Sequence, residues 1–98
     1  MSEEIKKIQT IISPVLKEAG VLKSSLFGSV ARGEMDADSD VDILVEFPKG
    51  KDLFDLADLQ TKLQKVLGKK VDIGTYGSIK KMLRRRILSE QVQIYEGQ

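Results

Sequence analysis

The spacing of apolar residues predicts an alternation of helices and strands along the chain. Apolar residues recur with helical periodicity in three segments, residues 5–19, 53–67 and 79–87. Shorter β-prone runs predict four strands, at Val21–Phe27, Val41–Phe47, Lys70–Thr75 and Gln91–Tyr95. A turn of small residues after the first strand can open a short additional helix. This order predicts an α/β or α+β fold, in which helices pack against a single mixed β-sheet.

The helix boundaries are indicated by residues that cap helices or end them. Ser2 is suited to cap the first helix, and Asp52 is suited to cap the long helix that follows it. Gly68 stands where a left-handed residue is needed to end the long helix. Pro14 falls inside the first helix, so we expect either a kink there or a restart with Ser13 as the cap.

The turn Gly28-Ser29-Val30-Ala31-Arg32-Gly33 has the composition of a phosphate-binding turn. A strand-to-helix turn exposes backbone N–H groups, and a glycine lets a ligand come close to the backbone. Ser29 adds a hydroxyl donor. Because Gly-Ser turns are also common as plain turns, this segment alone does not establish a site.

Two aspartates stand two residues apart at the start of the second predicted strand. In Ser39-Asp40-Val41-Asp42 a period of two places the Asp40 and Asp42 carboxylates on one face, opposite the apolar residues. Neighbouring carboxylates repel each other unless a cation lies between them. Oxygen ligands select Mg²⁺ or Mn²⁺ over zinc. A phosphate turn followed by a carboxylate pair therefore indicates a site for a nucleotide and a divalent metal.

With these residues the chain resembles the minimal nucleotidyltransferases of the polymerase-β-like superfamily. Their signature is Gly-Ser-x-Ala-Arg-Gly, a short spacer and Ser-Asp-x-Asp, and residues 28–33 and 39–42 match it without a mismatch. The family's third catalytic carboxylate stands on a later strand, where Asp72 in Lys70-Val71-Asp72-Ile73 matches it. The resemblance covers nearly the whole chain and implies the polymerase-β-like nucleotidyltransferase fold.

The resemblance implies transfer of a nucleoside monophosphate, AMP from ATP, to a hydroxyl group. Asp40, Asp42 and Asp72 would be the catalytic residues and would hold two Mg²⁺ ions, with Mn²⁺ as an alternative. Asp72 is also the candidate general base, since the chain has no histidine. Gly28 and Ser29 would position the phosphates of the nucleotide.

Arg32 and Ser39 are further candidates for nucleotide binding, and each has an alternative role. Arg32 could contact a phosphate, or it could pair at the surface with Glu34 or Asp36. Ser39 could contact the nucleotide, or it could cap or orient Asp40. The sequence leaves both choices open.

The composition indicates a small globular protein whose chemistry depends on carboxylates. The chain has 98 residues, of which 41% are hydrophobic and 32% charged, so we expect residues 1–98 to form one minimal nucleotidyltransferase domain. It has no cysteine and no histidine, which excludes disulfides, thiolate zinc sites and histidine bases. The net charge of +1 gives no overall attraction to nucleic acid or to a membrane. No apolar run approaches the ~18 residues of a membrane span, and we expect a cytoplasmic protein.

The acceptor hydroxyl is expected on another protein, because the catalytic unit takes up almost all of the chain. The resemblance implies a HEPN-domain ribonuclease toxin as the partner, with this protein as an antitoxin that adenylylates one of its tyrosines. The alternative is a non-catalytic antitoxin that neutralises its partner by binding it. The three intact aspartates argue against that alternative. Tyr76 is either a self-acceptor or a packing residue at the rim of the site.

A basic run follows the third predicted strand. Ser78 is predicted to cap a last helix whose outer face carries five basic residues, Lys80, Lys81, Arg84, Arg85 and Arg86. Such a run is most often a solvated helix face, although contact with nucleotide, partner or nucleic acid stays open. Direct nucleic-acid binding is not favoured, because aromatic residues make up only 5% of the chain and leave few stacking platforms.

Overall fold

The computed structural model describes residues 2–34, 40–78 and 90–97. Its elements in chain order are α1 (Glu3–Glu18), β1 (Lys23–Phe27), α2 (Gly28–Ala31), β2 (Val41–Glu46), α3 (Leu53–Leu67), β3 (Val71–Thr75), a 3₁₀ turn (Tyr76–Ser78) and β4 (Val92–Glu96). The predicted last helix, with its basic residues, lies outside the described residues, as does Ser39. In the part of the chain that is described, no helix is long and apolar enough to cross a membrane.

The four strands form one mixed sheet in the order β3-β2-β1-β4. Strand β1 pairs antiparallel with both β2 and β4, whereas β2 and β3 run parallel. A parallel neighbour requires a crossover connection, and α3 supplies it between β2 and β3. The predicted mixed sheet with packed helices is confirmed, and the last strand, β4, lies at an edge of it.

One face of the sheet, the core face, is buried under α1 and α3. Strand residues that alternate along the chain join helix residues in one apolar cluster, made by Ile5, Ile8, Ile12, Leu16, Val21, Leu26, Val30, Val41, Ile43, Val45, Leu59, Leu63, Val71 and Ile94. In β2 the predicted alternation is confirmed, because Val41, Ile43 and Val45 are all 0% exposed. Asp42 and Leu44 alternate with them and therefore point to the other side of the sheet, which we call the second face.

Helix α1 is a single helix although it contains Pro14. Its cap is Ser2, as predicted, and the Ser2 hydroxyl accepts from the N–H of Ile5 at 3.2 Å. The alternative of a restart at Ser13 is wrong, since the Ser13 hydroxyl donates to the carbonyl of Gln9, one turn earlier in the same helix. Burial of the apolar row on both sides of the proline keeps the helix on the sheet despite the missing N–H.

Helix α3 begins and ends where the sequence predicts. Asp52 accepts from the N–H groups of Phe54 and Asp55 in a capping box, and Gly68 ends the helix with a φ of 65°. Three apolar residues that were predicted to face inward are exposed instead, namely Leu53, Ala57 and Val66. The core row of α3 is narrower than the sequence pattern suggests, because only Leu59 and Leu63 are fully buried.

Candidate active site

The parallel pairing of β2 with β3 places Asp42 directly beside Asp72. Neighbouring strands lie about 4.8 Å apart, so the two side chains are neighbours on the second face. Asp42 is half-buried, whereas Asp72 is exposed. Burial raises the pKa of Asp42, and the negative charges of Asp72 and then Asp40 raise this pKa further, while Arg32 lowers it. Asp72 is therefore close enough to oppose the ionisation of Asp42.

Gly28 lies against the other side of the Asp42 carboxylate. Phe27 pairs with Asp42 across β1 and β2, so the next residue along the chain meets that carboxylate. A β-carbon built on Gly28 would overlap with Oδ2 of Asp42 and would lie 3.1 Å from its Cγ. The backbone at Gly28 also has a φ of 69°, which residues with a side chain rarely adopt. Asp42 thus occupies the space that a side chain on Gly28 would need, and the role of this glycine in admitting a ligand to the backbone stays a prediction.

The short helix α2 starts directly at the end of β1, in the strand-to-helix turn that the sequence predicts. The residue before it, Phe27, makes no side-chain hydrogen bond to its N-terminal end. Ser29 is half-buried in the first turn, and Val30 is 1% exposed and packs in the core. The turn is thus anchored by one apolar residue while its polar residue stays partly accessible beside Asp42.

Asp40 lies just outside β2, which begins at Val41. It is exposed, and it is close enough to raise the pKa of Asp42. The hydrogen bonds between β2 and β3 begin at Val41, the residue after Asp40. The N–H of Val41 donates to the carbonyl of Lys70 at 2.9 Å. Among the described residues no group of three acidic side chains is arranged to hold a metal ion. The structure thus pairs Asp42 with Asp72 and leaves Asp40 at the margin of the pair.

Arg32 makes the surface ion pair that was the alternative to phosphate contact. Its Nε lies 3.1 Å from Glu34, and its Nη1 lies 3.3 Å from Glu90. Both interactions are exposed, and such pairs contribute little to stability. The positive charge of Arg32 nevertheless lowers the pKa of Asp42. Arg32 is therefore close to the carboxylates while its guanidinium group is held by glutamates.

A polar cluster on the second face was not found by reading the sequence. The hydroxyl of Tyr76 is 2.7 Å from Oγ of Ser25, and Nζ of Lys23 lies 4.6 Å from the centre of the Tyr76 ring. Burial raises the pKa of the Tyr76 hydroxyl. The signal in the sequence was the alternation along β1. Lys23, Ser25 and Phe27 are two positions apart, so their side chains lie on the same face of the sheet, the second face. Because its hydroxyl is bonded and its ring is covered, this arrangement favours the packing role of Tyr76 over the role of self-acceptor.

The donor set of the site fits a hard divalent cation. Its candidate ligands are carboxylate oxygens, and the chain has neither cysteine nor histidine, which favours Mg²⁺ or Mn²⁺ over zinc. Burial and then the charges of Asp72 and Asp40 raise the pKa of Asp42, and a bound cation would offset the repulsion between these charges. The residues present thus suit the metal that the family resemblance implies.

Comparison with known proteins identifies the family. The sequence profile described as "Nucleotidyltransferase domain" matches residues 5–94. The chain belongs to the nucleotidyltransferase domain family. It is 50% identical over 90 residues to a Methanocaldococcus jannaschii protein named "Putative protein adenylyltransferase", covering 92% of this chain and 97% of that protein. It is 39% identical to the protein adenylyltransferase MntA of Thermococcus cleftensis, covering 94% of each chain.

A solved structure extends the likeness to three dimensions. A chain in the crystal structure of a toxin–antitoxin complex with AMP-PNP has a TM-score of 0.79 and 25% identity, over 92% of this chain and 74% of that one. The sequence profile and the relatives identify the protein as a minimal nucleotidyltransferase of the polymerase-β-like superfamily and as an enzyme. The resemblance stated from the motif is thereby confirmed.

The contact between Gly28 and Asp42 predicts that Gly28→Ala damages the site beyond its cost to the backbone. An alanine in the left-handed region costs about 1 to 2 kcal/mol, and its β-carbon would also displace the Asp42 carboxylate. Gly68→Ala is the matched control, because Gly68 has a φ of 65° and nothing within 4 Å of an added β-carbon. Thermal unfolding should show a loss of stability in both variants that is larger for Gly28→Ala, and nucleotidyl transfer should fall by at least about tenfold in Gly28→Ala only. Equal activities of the two variants would contradict the role given to this contact.

The raised pKa of Asp42 predicts that Asp42→Asn stabilises the metal-free protein at neutral pH. Below the ordinary value of 3.8 the carboxyl is protonated in both states, so the native form keeps its full stability. As the pH rises through the higher pKa of the folded state, the Asp42 carboxyl ionises and the wild type loses this part of its stability. The variant, which has no carboxyl at this position, does not. Chemical unfolding in the presence of a chelator should therefore show an advantage of the variant at pH 7 that shrinks towards pH 3. A constant difference across this range would exclude the raised pKa of Asp42 as its cause.

Proposed function

We propose that the protein transfers AMP from ATP to a hydroxyl group of a partner protein and thereby acts as an antitoxin. The observation that carries this proposal is the position of Asp42, which lies between Asp72 on the neighbouring strand and Gly28 in the turn that opens α2. The carboxylates proposed for a metal and the turn proposed for phosphates are thus neighbours at one end of the sheet, which supports the proposal. Such a site suits phosphoryl chemistry on a nucleotide.

The relatives support ATP as the substrate and a protein as the acceptor. Two of them are named as protein adenylyltransferases, and the similar solved structure is a toxin–antitoxin complex with AMP-PNP. We propose that the partner of this chain is a toxin of the HEPN class, which the family resemblance implies, and that a tyrosine of this toxin is the acceptor.

The residues of the site divide into a part for the phosphates and a part for the metal. Gly28 and Ser29 would receive the β- and γ-phosphates at the start of α2, where the Ser29 hydroxyl is partly accessible. Asp40, Asp42 and Asp72 would hold two divalent cations, Mg²⁺ or Mn²⁺. When bound, these cations neutralise the phosphate charge and favour the ionised form of the attacking hydroxyl.

Asp72 is the carboxylate best placed to meet the acceptor. It is exposed, whereas Asp42 is half-buried between Gly28 and β3. In the proposed reaction the acceptor oxygen forms a bond with the α-phosphorus, and the bond from this phosphorus to the bridging oxygen of the β-phosphate breaks. Pyrophosphate leaves, and the proton of the hydroxyl passes to Asp72 as general base. Since attack requires the two reacting atoms about 3 to 3.5 Å apart, we expect the partner to bind beside this mouth.

The non-catalytic antitoxin remains the alternative function, and the same carboxylates argue against it. Burial and then the charge of Asp72 raise the pKa of Asp42, and this costs stability in the metal-free protein at neutral pH. A protein that acted by binding alone would gain from losing one of them. Retention of both is expected if they take part in catalysis.

The proposal predicts that Asp42→Asn abolishes AMP transfer while the protein still folds. The wild type, incubated with ATP, Mg²⁺ and the toxin from its own operon, should add AMP to the toxin, as measured by intact mass and by peptide mapping to a tyrosine. Loss of one metal ligand should lower the rate by at least about 100-fold, since metal ions supply several kcal/mol of transition-state stabilisation.

The matched control for this experiment is Asp58→Asn. Asp58 lies on α3, the helix that covers the core face of the sheet, and it pairs with Lys62 at 3.0 Å in an exposed salt bridge. This variant makes the same chemical change and should transfer AMP at the wild-type rate. Full activity of Asp42→Asn, or neutralisation of the toxin without any gain of mass, would instead favour the binding-only function.

A further inference from the structure

Strand β3 carries Asp72 at an edge of the sheet. Among the described strands it lies at the end of the strand order, and its single neighbour there is β2. On the β2 side, the carbonyl of Lys70 accepts from the N–H of Val41 at 2.9 Å. In a parallel ladder the N–H and C=O groups of alternate residues point to opposite sides. The backbone groups of Val71, the residue just before Asp72, therefore point away from the sheet.

Gln60 and Gln64 of α3 occupy this edge in place of a strand. We call these two residues the glutamine pair. Gln60 donates through Nε2 to the carbonyl of Val71 at 2.7 Å. Gln64 accepts through Oε1 from the N–H of Val71 at 3.1 Å. The two residues are four positions apart, so they stand on one face of the helix, one turn from each other. Both backbone groups of Val71 are thus satisfied by side chains.

The position of the glutamine pair matters because the pairing of β2 with β3 is weakened at Asp72, the residue that follows Val71. Asp42 and Asp72 are register partners of like charge, and like charges directly opposite each other destabilise a sheet. An edge strand has no further strand on its outer side to hold it against such a repulsion. The Val71 side chain is 0% exposed, so a loss of its backbone bonds would leave polar groups without solvent.

We propose that Gln60 and Gln64 are positioning residues that hold Asp72 beside Asp42 by fixing the outer edge of β3 at Val71. The proposal rests on the function proposed above in one respect, namely that Asp72 serves the transfer reaction. The glutamine pair itself does not contact the nucleotide or the acceptor in this proposal. It acts only through the backbone of Val71.

The chemistry of the two bonds differs, and this gives a test with matched variants. Gln60 must donate, because its partner is a carbonyl, so Gln60→Glu removes the bond and sets two acceptors against each other. Gln64 must accept, because its partner is an N–H, so Gln64→Glu keeps the bond. Both variants add one negative charge on the same face of α3. A difference between them therefore reports the hydrogen bond and not the charge.

The other edge of the sheet supplies an independent control. Gln9 of α1 donates through Nε2 to the carbonyl of Ile94 in β4 at 2.8 Å. Strand β4 is the opposite edge strand, and none of the proposed site residues stands on it. Gln9→Met and Gln60→Met each remove one bond of the same kind without adding charge. They should lower the melting temperature to a similar extent, and only the second should disturb the site.

The experiment measures amide hydrogen exchange of the Val71–Thr75 segment and the kinetics of AMP transfer, well below each melting temperature. For Gln60→Glu and Gln60→Met we expect exchange in β3 to rise by about tenfold, as for the loss of a buried hydrogen bond. The kcat for transfer should fall by at least about tenfold with little change in the KM for ATP, since the turn at Gly28 is not touched. Gln64→Glu and Gln9→Met should match the wild type in both readouts.

Wild-type exchange in β3, or an unchanged kcat, in both Gln60 variants would overturn the positioning role. Equal defects in Gln64→Glu and Gln60→Glu would also overturn it, because the added charge would then be the cause. Asp72→Asn, measured in parallel, separates the two proposals. If Asp72→Asn transfers AMP at the wild-type rate, the catalytic role of Asp72 is wrong, and the exchange data alone then decide whether the glutamine pair holds β3.

Discussion

The parallel pairing of β2 with β3 sets two carboxylates side by side, where they repel each other. The remainder of the fold has to hold the two strands together against this repulsion. Like charges opposite each other on a sheet cost about 0.2 to 1 kcal/mol. On the core face the same two strands pair Val41 with Val71 and bury both completely. A fully buried valine contributes about 1.5 to 3 kcal/mol. The apolar side of the ladder therefore outweighs the charged side, and the site can keep its crowded carboxylates without losing the strand.

Asp42 is the residue in which the separate parts of the site meet. Its carboxylate occupies the space that a side chain on Gly28 would need, so the left-handed turn that opens α2 and the position of the carboxylate depend on each other. On its other side lies Asp72 on β3, and Asp72 is exposed. One carboxylate is thus enclosed by the fold and the other faces solvent. This asymmetry gives the two aspartates different surroundings.

The local structure of the chain could be predicted from its sequence because it depends on neighbouring residues. Alternation in β2, the capping box at Asp52 and the left-handed Gly68 all follow from rules that act within a few positions. The motif of residues 28–33 and 39–42 indicated the family, which the comparisons confirm. The class of fold followed from the order of the elements. The exposed Leu53 and Val66 show the limit, since periodicity marks an apolar face but not how much of it is covered.

The tertiary structure alone decided which distant residues meet. That Asp72 pairs with Asp42 depends on the parallel crossover through α3 and on its register, and a shift of one residue would turn Asp72 to the core. Gln60 and Gln64 carry no recognisable signal, because a glutamine that satisfies a strand edge looks in sequence like any polar residue on a helix. The bond between Tyr76 and Ser25 spans 51 positions. Such contacts are set by the packing of whole elements, and short-range sequence rules do not contain that information.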